Sequence, residues 1–271
     1  MRRPLSVDTH CHVYPDAIAE RAVAGVGGFY GRPIEKDGRL RTVLASMEDG
    51  GIGRLLTSAV ATTPHQVASV NRYQARIAAA YPDRISGMGT LHPDSPDQRG
   101  DVENAVELGL VGIKLHPDIQ GVAIDDPRYL RIFELLEGRL PVCCHFGDSR
   151  YDFSNPDRVG RVLRLFPGLT LIGAHFGGWS IWREAVKVLP AYQNLLVDCS
   201  SSLFALSPSE AADMVRAYGA ERVLYGDDYP MWDPAEERDR FDALPLTEAE
   251  RRMILYENAL RVYGIPAENL G

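Results

Sequence analysis

Short apolar runs alternate along the chain with longer stretches whose apolar residues recur every three to four positions, the periods of buried strands and of helices packed on one face. The runs at 5–10, 52–60, 85–91, 110–116, 141–145, 169–175, 194–199 and 223–228 predict eight strands. Between them the spacing predicts helices over about 66–81, 98–109, 127–138, 155–166, 179–190, 208–219 and 247–263. Three of these open on Asp126-Pro127, Asn155-Pro156 and Ser207-Pro208. In each pair the polar side chain can accept from an orphan helix N–H, while proline loses nothing by lacking one. Eight successive βα units predict an α/β fold, a distorted (β/α)8 TIM barrel: each crossover helix covers the outer face of a parallel sheet, and closure removes the exposed edges. A doubly wound open sheet would carry a glycine-rich turn after its first strand, and here HCHVYP (10–15) stands in that place. Residues 13–41, rich in glycine and charge, follow neither period and are expected to form a rim loop or lid. No linker divides the chain, so residues 1–271 read as one domain.

Composition narrows the class. With 45% hydrophobic and 24% charged residues and no low-complexity tract, the chain reads as globular. A net charge of −8, without clustered Lys or Arg, opposes a phosphate-binding surface, so nucleic acid is not an expected partner. No apolar run is long enough for a membrane helix, and Arg2-Arg3 is followed by no apolar signal segment, which makes the cytoplasm the expected location. Cys11, Cys143, Cys144 and Cys199 sit in apolar stretches without a CxxC pair and are expected to be reduced, packed thiols.

The chemistry lies at the ends of the runs. His10 and His12 flank Cys11, and a period of two puts both imidazoles on one side of the sheet, where they can share an ion. His116, His145, His175 and Asp228 each close a later run directly before a turn-like sequence. In a barrel these ends meet on one rim. Histidines clustered there without a cation would be hard to satisfy, whereas a metal makes them an ordered shell. Asp8 has the parity to orient an imidazole, and of the adjacent Asp227 and Asp228 only one should face the axis; Asp228 is the expected ligand, Asp227 a cap or an acceptor for a backbone donor. Arg150 could clamp a carboxylate and Trp179 could form an apolar wall, or both could serve packing. His92 is a better pocket candidate than His65.

VDTHCH (7–12), VGIKLHP (111–117), PVCCHFGD (141–148), FPGLTLIGAHFGG (166–178) and LYGDDYP (224–230) occur in that order. In this combination the chain resembles the amidohydrolase superfamily, and within it amidohydrolase family 2, which holds metal-dependent hydrolases and nonoxidative decarboxylases of aromatic or unsaturated acids. The resemblance implies metal ligation by His10, His12, His145 and Asp228, with His175 beside the substrate or the metal-bound water and His116 facing the pocket. It implies one divalent metal, Zn2+ first and Mn2+ as the alternative; a second metal would need a carbamylated Lys114. Where relatives carry Ser or Thr before the ligand Asp, this chain has Asp227. A homodimer is the expected assembly.

The first functional expectation is a hydrolase in which metal-activated water attacks an ester, lactone or amide carbonyl of a small, carboxylate-bearing substrate, with His175 or Asp228 carrying the proton. The alternative is a decarboxylase in which the same cation holds an acid while a histidine assists protonation. A third reading is a noncatalytic metal-binding module.

Overall fold

Every expected apolar run contains a strand in the computed structural model, which describes residues 5–266. The ends of the expected 1–271 domain, Arg2-Arg3 among them, lie outside the described residues. Strand β1 (Ser6–His12) pairs in parallel with β2 (Ile52–Ser58), and β2 with β3 (Ile85–Gly87). A second parallel run follows in chain order: β4 (Gly89–Thr90), β5 (Ile113–Leu115), β6 (Val142–Cys144), β7 (Leu171–Gly173), β8 (Leu195–Asp198) and β9 (Val223–Leu224). β3 and β4 are one barrel position interrupted at Met88, whose N–H donates to Thr57 O at 2.8 Å while the Gly89 N–H turns to Gly112 O at 2.8 Å. The ring closes where Thr9 N–H donates to Tyr225 O at 2.9 Å and Asp228 N–H to His10 O at 2.8 Å. The architecture is therefore a distorted (β/α)8 barrel, with the C-terminal strand ends on one rim.

Alternation places the core. Val7, Leu56, Met88, Cys143, Ile172 and Leu196 cluster together, whereas Ile113, Leu115, Val142, Cys144 and Leu171 belong to the larger cluster under the helices. In β1 two register shifts, at Ser6/Val7 and Asp8/Cys11, interrupt the period of two.

Two helices stand where the apolar period predicted none. α1 (Ala19–Tyr30) occupies most of the expected rim loop, and α2 (Leu40–Gly50) follows it. Gly25, Gly27 and Gly28 weaken α1's intrinsic preference, but Ala19, Val23 and Gly27 are buried along one face. At Gly27 a Cβ would come within 2.8 Å of Arg32 O, so packing there requires glycine. The expected helices appear as α3 (Val67–Ala80), α4 (Gln98–Glu107), α6 (Pro127–Leu136), α7 (Pro156–Leu165), α8 (Trp182–Val188) and α9 (Pro208–Tyr218), with a short α5 (Pro117–Gln120) after β5. α10 (Pro234–Asp242) is additional, and the 247–263 segment divides into α11 (Glu248–Arg252), a π turn at Met253–Glu257 and α12 (Asn258–Tyr263). Ser207 and Asp126 cap their helices through their side chains. Asn155 does not, its amide donating instead to Tyr151 O at 3.3 Å.

Candidate active site

One cavity of about 610 Å³ opens at the rim, and His10, His12, Lys114, His116, His145, His175 and Asp228 all line it. β1 supplies His10 and His12. His116 caps α5 immediately after β5, His145 follows β6, and His175 and Asp228 follow β7 and β9. His175 and Asp228 both have φ of 60°, in the left-handed region that non-glycine residues rarely occupy. Such backbone persists only where the surrounding structure holds it.

Hydrogen bonds fix which ring nitrogen faces the cavity. His10 Nδ1 lies 3.0 Å from Asp198 Oδ2, a carboxylate that can only receive the proton, so Nε2 is the nitrogen turned to the cavity. By the same reasoning His175 Nδ1–H donates to Ser200 O at 3.0 Å, leaving Nε2 free, and His145 Nε2–H donates to Gly147 O at 3.0 Å, leaving Nδ1 free. His12 places its Nδ1 3.2 Å from Ser58 Oγ and its Nε2 3.1 Å from His10 Nε2. The free nitrogens of His145 and His175 face each other at 3.1 Å. Burial holds His12 and His145 well below the ordinary imidazole range and His175 down at about 4, so these rings are neutral at pH 7.

Asp228 Oδ1 joins the first pair, 3.3 Å from His10 Nε2 and 3.4 Å from His12 Nε2. His10, His12 and Asp228 thus turn two ring nitrogens and a carboxylate oxygen to one point. Two imidazole nitrogens and a carboxylate oxygen aimed at one point are a donor set that fits a divalent cation. Lys114 Nζ lies 2.8 Å from His10 Nε2. His145 is set apart from this trio, its free nitrogen reached across His175.

Several partners were not legible from the run ends alone. Asp198 orients His10, accepts the His175 backbone N–H at 3.1 Å and binds Ser200 Oγ at 2.5 Å. Burial acts to raise its carboxyl, but His10, through charge and hydrogen bond, holds it well below the carboxylate range. Asp198 stands one residue before the end of the seventh apolar run, which closes on Cys199, so the run ends do not single it out. Tyr30 comes from α1: its hydroxyl lies 2.9 Å from His116 Nε2 and 3.5 Å from His145 Nδ1. Burial keeps that phenol protonated. Asp8 orients no imidazole; its Oδ1 accepts the backbone N–H of His10 at 3.0 Å and of Asp227 at 3.1 Å. Asp227 accepts the Tyr229 N–H at 2.7 Å.

Arg150 and Trp179 do not line the cavity. Both Arg150 Nε and Nη2 bind Asp148, at 2.9 and 2.6 Å, and its Nη1 donates to Phe29 O at 2.5 Å. It therefore ties the end of α1 to the loop after β6 and has no fork to spare for a substrate. Trp179 packs against Tyr30 with its ring tilted by 58°, ring centres 4.9 Å apart. His92 accepts the Asp94 N–H at 3.1 Å, and neither it nor His65 lines the cavity. All four cysteines are buried and free, and burial raises each thiol.

Residues 7–265 match the family model described as Amidohydrolase. The chain is similar to gamma-resorcylate decarboxylase from Rhodococcus jostii (strain RHA1), 26% identical over 246 residues, covering 71% of this chain and 74% of that one. In fold it is similar to 5-carboxyvanillate decarboxylase from Sphingomonas paucimobilis, at 19% identity with TM-score 0.74, covering 97% and 100% of the two chains. It is also similar to a dihydroxybenzoic acid decarboxylase from Polaromonas sp. JS666 with bound manganese and the inhibitor 2-nitroresorcinol, at 18% identity with TM-score 0.72 and 99% of each chain covered. Among the described residues no helix is long and apolar enough to cross a membrane.

Proposed function

The chain belongs to the amidohydrolase family, and we propose that its reaction is the nonoxidative decarboxylation of an aromatic acid. It is a metal-dependent enzyme of that superfamily. The first expectation from the sequence, hydrolysis of an ester, lactone or amide, is overturned: the three relatives described above are decarboxylases of aromatic acids. The observation that carries the proposal is the likeness to gamma-resorcylate decarboxylase over 71% of this chain. The donor cluster on the floor of a cavity walled by apolar and aromatic side chains agrees with it.

His10, His12 and Asp228 would hold the ion, with His145 approaching from the other side of His175. When bound, a divalent cation supplies positive charge to the substrate carboxylate and the phenolic oxygen beside it. Zinc was the first expectation; manganese stands in the Polaromonas relative, and Mn2+ is the ion we propose.

The protein's own part is to place the ring and move a proton. Decarboxylation needs a proton at the ring carbon that carries the carboxylate, so that the electrons of the breaking C–C bond can return to the ring as CO2 leaves. His175 is placed for this: its Nδ1–H is fixed on Ser200 O, so a proton gained or given moves at Nε2 alone. Neutral at pH 7, the imidazole would first take up that proton at Nε2 from solvent before the acid binds, and its depressed affinity makes the proton readily given to the ring carbon. Tyr30, anchored on His116, offers an O–H toward the substrate. The apolar walls exclude water, which strengthens these interactions. Around this site the proposal keeps one domain with the 13–41 segment as its lid, working as a homodimer in the cytoplasm.

The test is to supply Mn2+ and offer 2,6-dihydroxybenzoate and 5-carboxyvanillate beside a panel of esters and lactones. Metal-dependent loss of the carboxyl group from an aromatic acid is expected, and ring-opened or hydrolysed products without it would refute the reading.

A further inference from the structure

One wall of the cavity is built by α1, which leads away from the histidines toward its N-terminal end, and its composition specifies more of the substrate than a single-ring acid. Ile18, Arg21, Ala22, Gly25, Val26 and Phe29 line the cavity, at the three-to-four spacing of one helix face. That face continues to Tyr30, whose hydroxyl touches His116 beside the metal cluster. At 1.5 Å per residue, Arg21 lies about 14 Å along the helix from Tyr30. A cavity of about 610 Å³ is of the size that encloses ligands well beyond one benzene ring.

Two residues on this face are otherwise unexplained. A Cβ built on Gly25 meets nothing within 4 Å, so the fold does not demand glycine there, although alanine is the better helix residue. What glycine leaves is width in the middle of the cavity. Arg21 is exposed, has no hydrogen-bond or ion-pair partner among the described residues, and among these is the only Arg, Lys, Asp or Glu lining the cavity besides Lys114 and Asp228. An unpaired guanidinium at the end of an apolar channel is a ready partner for a carboxylate.

We propose that the substrate is an elongated dianion: an aromatic acid at the metal, an apolar second ring over Gly25, and a second carboxylate at the mouth paired with Arg21. This rests on the aromatic-acid reading above and specifies its substrate class. Gly25 and Arg21 are then specificity residues.

The test is equilibrium binding to the Mn2+-loaded enzyme, which does not require turnover. Three probes are titrated: 2,6-dihydroxybenzoate, 3-hydroxybiphenyl-4-carboxylate and 3-hydroxybiphenyl-4,4'-dicarboxylate. The expected order of affinity rises along that series, by about tenfold at each step. Arg21→Ala should erase the gap between the two biphenyls, while Arg72→Ala, which removes a positive charge outside the cavity lining, should leave it. Gly25→Leu should erase the preference for biphenyls over the single ring. Gly25→Ala, expected to melt no lower than the parent, should reduce that preference part way, which separates lost space from lost folding. Equal affinity for the two biphenyls in the parent, or a gap that survives Arg21→Ala, would overturn the role of Arg21. Tighter binding of the single ring would overturn the elongated substrate. If the binding series holds but no acid loses its carboxyl group, the decarboxylase reading fails and the subsite stands.

Discussion

Replacing Asp198 by Asn tests whether the histidines are held as metal ligands by the hydrogen bonds around them. Asp198 Oδ2 receives the His10 Nδ1–H at 3.0 Å. Its Oδ1 receives the backbone N–H groups of His175 and Ser200, each at 3.1 Å. Every neighbour is a donor, so an acceptor-only carboxylate satisfies all of them. Asparagine cannot. With its NH2 toward His10 it forces that ring to the other tautomer, putting a proton on the Nε2 that should face the ion; with its oxygen toward His10 it sets the NH2 against two backbone N–H groups. Loss of such an orienting partner weakens metal binding by about 10- to 100-fold, which is about 1.4 to 2.8 kcal/mol. Mn2+ affinity is read by calorimetric titration of the metal-free protein, with circular dichroism to establish that the variant is folded. A folded Asp198→Asn protein binding Mn2+ within twofold of the parent would refute the reasoning, because His10 would then need no carboxylate to present its nitrogen.

The remaining predictions concern proton transfer, the lid and pH. His175→Asn should lower kcat by at least about 100-fold with Mn2+ content, measured by mass spectrometry of the metal, unchanged; parallel loss of metal would make His175 a ligand instead. Arg150→Ala should speed amide hydrogen exchange across α1, since it removes the bond to Phe29 O; unchanged protection of 19–30 would remove Arg150 from the latch. Burial raises the Glu237 carboxyl to about 7, with Arg240 opposing, and leaves Oε2 without a partner. A raised acid favours the fold while neutral, so this contribution is whole below the unfolded pKa near 4.5 and is lost as pH rises through about 7. Glu237→Gln should therefore flatten the decline of Tm between pH 5 and pH 8 by about 2–4 °C, for a difference of about 1 kcal/mol; an unaltered slope in scanning calorimetry would contradict it.

The strand order was legible because each apolar run is a buried strand, and the site was partly legible because a polar side chain at the end of such a run has only the rim to face. His10, His12, His116, His145, His175 and Asp228 all line the cavity for that reason. Contacts made across the barrel leave no such trace. Nothing near residue 198 shows that His10, 188 positions away, turns its ring toward that carboxylate. α1 was hidden by its glycines, which break the apolar period even though Gly27 is there for close packing and Gly25 faces open space. With α1 unread, Tyr30 was unread too. Arg150 shows the converse: as a sequence feature it suits an anion, but Asp148, two residues earlier and fully buried, already takes its fork.

Decarboxylation itself is tested most directly by following the carbon. The Mn2+-loaded enzyme is given 2,6-dihydroxybenzoate labelled with carbon-13 in its carboxyl group, in deuterated water, with headspace CO2 and the aromatic product measured together. The account predicts one labelled CO2 for each acid consumed, a phenol carrying one deuterium where the carboxyl group stood, and neither from a folded protein lacking both His10 and His12. Consumption of an ester or lactone with the labelled carboxyl group of the aromatic acid left intact would contradict it.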